Sequence, residues 1–173
     1  MLWNAKNGNI KFPDTDMDFV CFGTGKKMLV MLPGLGDGLT TVKGMALPMA
    51  FTYREFAKRY TVYMFSRKNK LCEGANTQGM AEDLRRAMST LEIEKADVLG
   101  VSMGGMIAQH LAAEHPECVN RLVLAVTAAR PNPILVEAVT EWMEQAKQGD
   151  HAALMDSNVR PFTPMLIIRK TGP

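Results

Sequence analysis

Ala96-Asp97-Val98-Leu99-Gly100-Val101-Ser102-Met103-Gly104-Gly105 is the stretch that decides the fold. Its first six residues form a short, mostly apolar run, the composition of a strand buried on both faces. From Gly104 to Glu114 small and apolar residues continue at helical spacing, and Pro116 closes the segment. Between strand and helix, Gly100-Val101-Ser102-Met103-Gly104 fits the pattern G-x-S-x-G. About one random chain of this length in fifteen would hold the bare pattern, so its placement carries the weight. A serine on a sharp strand-to-helix turn is held in strained φ/ψ with its hydroxyl exposed, and its neighbours two before and two after must be nearly free of side chain. Gly100 and Gly104 meet that need, and Gly105 lets the helix lie close to the sheet. Ser102 is therefore the candidate nucleophile; a helix N-cap serine after a glycine turn is the competing reading.

Working outward, Gly8 to Gly23 reads as an antiparallel hairpin around Pro13-Asp14-Thr15-Asp16. Met28 to Leu32 is an unbroken apolar strand ended by Pro33-Gly34-Leu35-Gly36-Asp37-Gly38. Tyr53 to Tyr60 reads as a short helix leading into the strand Thr61 to Phe65. From Thr77, a plausible N-cap, Met80, Leu84, Ala87, Met88 and Leu91 recur at helical spacing. Leu122 to Val126 is a further strand. Parallel strands joined by helices on right-handed crossovers give an α/β, doubly wound, mostly parallel sheet with an N-terminal hairpin. After Pro131 and Pro133, Ile134, Leu135, Ala138, Val139, Trp142, Met143 and Ala146 share one face of a helix that ends near Gly149. The expected division is 1–130 for the core, 131–160 for a helical segment and 161–173 for an irregular tail.

The 173 residues, 47% hydrophobic, suffice for one globular domain with a sizeable core. A formal net charge of +2 leaves no electrostatic footprint for nucleic acid, and Arg67, Lys68 and Lys70 read as a solvated loop. No apolar run approaches the roughly 20 residues needed to span a bilayer, and no leader pattern opens the chain. Cys21, Cys72 and Cys118 are odd in number and far apart, which suits free thiols in a reducing cytoplasm and offers no metal site. No cofactor motif is present, and the methionines read as core filler. Small-molecule substrate binding is the expected role.

Acyl chemistry at Ser102 needs donors for an oxyanion. The Met103 amide, at the positive end of its helix, supplies one. The Leu35 amide is the expected second, because Gly34 and Gly36 let backbone approach a substrate closely; an ordinary tight turn is the alternative.

Residues from about Lys27 to Ala129 resemble the N-terminal two-thirds of the α/β-hydrolase core. The resemblance is carried by Met80-Ala81-Glu82-Asp83-Leu84, by Ala96 through Gly105, by His115-Pro116-Glu117 and by Arg121-Leu122-Val123-Leu124. Two departures are visible: Pro33-Gly34 stands where many members have His-Gly, and Ser66-Arg67-Lys68-Asn69 where a Gly-rich turn is common. The resemblance implies a serine hydrolase acting on a carboxylic ester or related acyl compound. Relatives that open epoxides or carbon-halogen bonds use a carboxylate at the elbow, so Ser102 argues against those reactions. Thioester, lactone and carbon-carbon hydrolysis and peroxide-dependent chemistry stay open.

The family's order is nucleophile, acid, histidine, with the last two after later strands. The chain is accordingly expected to be incomplete at its C-terminus, lacking the last strands. His110 and His115 lie on the helix that leaves Ser102 and points away from the reaction site. His151, after Gly149-Asp150, is the remaining local candidate for a base, although an N-terminal helix position is its structural alternative. No acid is assigned among Asp83, Asp97, Glu137, Asp150 and Asp156. By resemblance the helix around 132–147 starts a cap, where Leu135, Val139, Trp142 and Met143 either line an acyl pocket or simply pack. The rival expectations are a binding module without turnover and a fragment without function.

Overall fold

The computed structural model of the chain describes residues 2–38 and 41–149. The chain divides into two compact units, Met1–Ala129 and Arg130–Pro173. The expected tail, together with Asp150, His151 and Asp156, lies outside the described residues.

Among the described residues, the first unit holds six strands: β1 (Lys6–Lys11), β2 (Asp16–Phe22), β3 (Lys27–Leu32), β4 (Tyr60–Lys68), β5 (Ala96–Val101) and β6 (Val119–Ala125). They form one sheet in the order β1-β2-β4-β3-β5-β6. β1 and β2 make the expected hairpin, β2 runs antiparallel to β4, and β4, β3, β5 and β6 are parallel. The fold class is thus the α/β, mostly parallel sheet read from the sequence. After β3 the chain steps to one side, to β4; after β5 it steps to the other, to β6. That reversal makes a crevice at the C-terminal ends of β3 and β5, the place where open α/β sheets bind ligands.

Side chains alternate across the sheet because successive residues of a strand face opposite sides. Val30, Leu32 and Val98 pack with Ala81, Leu84, Ala87 and Met88 of α3 (Thr77–Thr90) and with Ile107, Ala108 and Leu111 of α4 (Met103–Glu114). Leu29, Met31, Val62 and Met64 pack on the other side with Ala46 and Ala50 of α1 (Ala46–Thr52) and Ala57 of α2 (Arg54–Ala57). Small residues on the helices let them lie close to a sheet of larger aliphatic side chains. Leu111 is fully buried in this arrangement, and its truncation to Ala costs about 3 kcal/mol.

Three local readings change. Asn76, not Thr77, caps α3: its extended backbone leaves the side chain free to accept from the Gly79 N–H at 2.9 Å. The strand expected at Leu122 begins three residues earlier, at Val119, because Ala96 and Asp97 of β5 extend the ladder downward. Arg67 and Lys68 are not in a solvated loop. β4 runs on to Lys68, and their side chains are only 11% and 14% exposed, Lys68 pairing with Asp83 at 2.8 Å. Extended pairing with β2, from Met17 to Phe22, holds the strand past its apolar run.

At the opposite end of the parallel strands, Lys26, Lys27, Lys95 and Arg121 gather around Asp97. The Asp97 carboxylate is occupied there by the Tyr60 hydroxyl at 3.2 Å and the Asn120 amide at 2.6 Å. In the second unit, α5 (Pro133–Lys147) is capped by Asn132, which accepts from the Leu135 N–H at 2.8 Å. None of its residues is buried. No described helix is long and apolar enough to cross a membrane.

Candidate active site

Ser102 stands between β5 and α4 at φ 53°, ψ −120°, a region that costs a non-glycine residue about 1–3 kcal/mol. The surroundings over-determine it. Its N–H donates to Ala125 O at 3.0 Å, and its carbonyl accepts from the Gly105 N–H at 2.9 Å and the Thr127 hydroxyl at 2.7 Å. The neighbouring glycines are required by contact. A Cβ on Gly100 would stand 2.6 Å from both the Gly104 oxygen and the Gly105 Cα; one on Gly104 would strike Leu32 O and Pro33 O; one on Gly105 would strike the Thr127 side chain. The tight β5-α4 corner follows from these three positions, and it leaves the serine exposed at the sheet's C-terminal edge.

The loop after β3 passes directly beside it. A Cβ on Gly34 would lie 3.2 Å from Ser102 Cβ and 3.7 Å from its Oγ. Leu35–Gly38 then form a single 3-10 turn. Leu35 and Met103 are each the first residue of a helical turn, so each N–H lacks an acceptor within its own turn. Gly36 has open space around it and no steric role.

Asp37 fastens this loop. Its side chain is 3% exposed, accepts from the Ser66 hydroxyl at 2.7 Å and the Arg67 N–H at 2.9 Å, and lies 3.6 Å from Arg67 Nε. Ser66 in turn accepts from the Val42 N–H at 2.9 Å. No role at the site was read from the sequence for Asp37, Ser66, Arg67 or Thr127. The available signal was polar residues directly following apolar strands, at the edge where the site had to be.

The described histidines stay away from Ser102. His110 and His115 are eight and thirteen residues along or just past α4, about 12 and 20 Å up the helix axis. His110 pairs with Glu114 at 3.6 Å, and His115 with Glu82 at 3.1 Å and Glu117 at 3.4 Å. Asp83 is engaged by Lys68, and Asp97 lies at the opposite end of β5. Among the described residues no three His, Cys, Asp or Glu side chains group as metal ligands.

A cavity of about 370 Å³ opens next to Gly34 and Val101, walled by Met31, Met64, Met49 and Tyr53. Its size and apolar walls suit a small organic group. Leu135, Val139, Trp142 and Met143 belong to the second unit.

An elbow serine at a topological switch point, with a glycine loop beside it, defines a class of α/β enzyme scaffold. The alpha/beta hydrolase fold family matches residues 27–164, and the chain belongs to that family. It is 31% identical over 131 residues to the 2-hydroxymuconate semialdehyde hydrolase of Pseudomonas sp. (strain CF600), covering 74% of this chain and 46% of that protein. Over 51 residues it is 43% identical to the poly(3-hydroxyalkanoate) depolymerase of Ectopseudomonas oleovorans, covering 30% and 18%. The α/β-hydrolase MGS-M2, from a Medee basin deep-sea metagenome library, shares the fold with a TM-score of 0.76 at 23% identity, covering 88% of this chain and 56% of that one. The chain thus spans about half the length, or less, of these relatives.

Proposed function

We propose that the protein is a serine hydrolase of acyl compounds, with Ser102 as nucleophile. The observation that supports this most is the strained, exposed Ser102 with the Gly34 backbone packed against it. Ser102 Oγ would attack the substrate carbonyl carbon and give its proton to a base. The carbonyl oxygen would take the negative charge against the Met103 and Leu35 amides. Collapse would expel the protonated leaving group and leave an acyl-enzyme, which water would cleave to the acid and free Ser102. The apolar cavity beside Gly34 would take the substrate's hydrocarbon part. A carboxylic ester is the preferred substrate class, in keeping with the relative named a poly(3-hydroxyalkanoate) depolymerase; the relative named a 2-hydroxymuconate semialdehyde hydrolase keeps carbon-carbon hydrolysis open.

His151, which lies outside the described residues, is the candidate base within this sequence. No cofactor enters the scheme. The free thiols Cys21, Cys72 and Cys118 suit a cytoplasmic setting.

A second reading, binding of an apolar acyl ligand without turnover, is favoured by one observation: His110 and His115 are committed to glutamates far from Ser102. Intact-mass labelling with a fluorophosphonate, beside hydrolysis of short p-nitrophenyl esters, separates the two. Labelling and turnover that both vanish in Ser102→Ala support the hydrolase. Labelling that persists in Ser102→Ala removes Ser102 as the nucleophile, and a folded protein that neither labels nor turns over favours the binding reading.

A further inference from the structure

We propose that Arg67 is the positioning residue of the oxyanion site, fixing Leu35 and Met103 relative to each other; this rests on the Ser102 reading above. One guanidinium touches both residues. Nη2 donates to the Leu35 carbonyl at 3.1 Å and Nη1 to Met103 Sδ at 3.4 Å. Leu35 and Met103 come from different strand ends, β3 and β5, and no other described side chain is hydrogen-bonded to both.

The fork is itself immobilised. Arg67 is the eighth residue of β4, its N–H is bonded to Asp37, its Nε lies 3.6 Å from the same carboxylate, and its side chain is 11% exposed. Asp37 is anchored a second time by Ser66. The Arg67 guanidinium therefore spans three strand ends as a rigid planar brace. Its charge is offset by Asp37 at close range, so its effect on the site is geometric. Lysine, a single point of charge on a flexible stem, cannot hold two partners at set directions. The brace matters because a donor misplaced by about 1 Å costs about a hundredfold in rate.

The test uses a matched pair of Ser102-directed reagents, a fluorophosphonate and its P=S counterpart, with labelling rates read by intact mass. Backbone N–H donors favour the P=O reagent, so the rate ratio reports donor placement and not folding. The expected result is a ratio about tenfold lower in both Arg67→Met and Arg67→Lys, with Ser102 still the modified residue. Met103→Leu, which keeps about the same volume and removes the sulfur acceptor, folds as the parent does and lowers the ratio by about threefold. A ratio unchanged in the soluble variants overturns the proposal, and so does full rescue by lysine, which would assign the effect to charge. A parent chain that does not label at all overturns the Ser102 reading and this one with it; a parent that labels beside variants with its own ratio overturns only the role of Arg67.

Discussion

The Thr127 hydroxyl donates to the carbonyl oxygen of Ser102 at 2.7 Å, tying the end of β6 to the corner that follows β5. The same side chain fills the space a Cβ on Gly105 would need. Thr127→Val keeps that shape and removes only the donor. It should cost about 1 kcal/mol, read as a lower urea midpoint, and it should slow fluorophosphonate labelling because the corner loses one of its restraints. An unchanged midpoint and labelling rate would show the bond to be idle.

Strain at the corner should be recoverable. Ser102 (φ 53°) and the β-branched Val126 (φ 45°, 83% exposed) both sit in the left-handed half of φ, on the ends of adjacent strands. Ser102→Gly and Val126→Gly should each raise the thermal midpoint, by about 1 kcal/mol of stability after the entropy of an added glycine is subtracted. Ser102→Ala should not. A fall in midpoint for Val126→Gly would mean that its backbone is relaxed.

Gly100→Ala should be strongly destabilising. The new Cβ would meet backbone of Gly104 and Gly105 and the Ala108 Cβ at 2.6 to 2.9 Å, and backbone cannot step aside as a flexible side chain can. A loss of about 3 kcal/mol is expected in chemical denaturation. Gly36→Ala, with open space around it, is the control and should unfold with the parent.

Acid should release the exterior of α3 before the core. Arg85 foremost, then Arg86, holds Glu82 down to about 2 from an ordinary value of 4.5. The native state therefore binds this proton less readily than the unfolded chain, so the contribution is fully present above about 4.5 and lost as pH falls toward 2. Glu82→Gln should be less stable than the parent near neutral pH, and the gap between the two should close across that window. A constant gap would place the effect in packing.

The fold was legible where one face pattern dominated. The apolar runs of β3 and β5, the α3 stripe and the glycines around Ser102 state their burial in their own composition, and the structure buries them accordingly. β4 was legible only to Phe65, since Ser66, Arg67 and Lys68 are polar. They continue the strand because β2 supplies the ladder and because Asp37 and Asp83 supply partners, all of them distant in sequence. Helix α1 went unassigned for a related reason. Ala-Leu-Pro-Met-Ala-Phe-Thr carries an internal proline and a broad apolar surface, and its placement is set by Ala46 and Ala50 meeting the sheet. Within the site, the sequence pointed to the Ser102 corner and to the glycine loop beside it. The side chains that hold that loop were invisible, because ion pairs between strand ends leave no periodic mark.

The parallel strands give the first unit a direction. Lys26, Lys27, Lys95 and Arg121 mark the end where the strands begin, and Ser102, Gly34 and Thr127 mark the end where they leave. On a negatively charged support the unit would land cations down, with its serine turned to the liquid. The same polarity makes a tether at Lys26 or Lys95 the attachment that least obstructs the crevice.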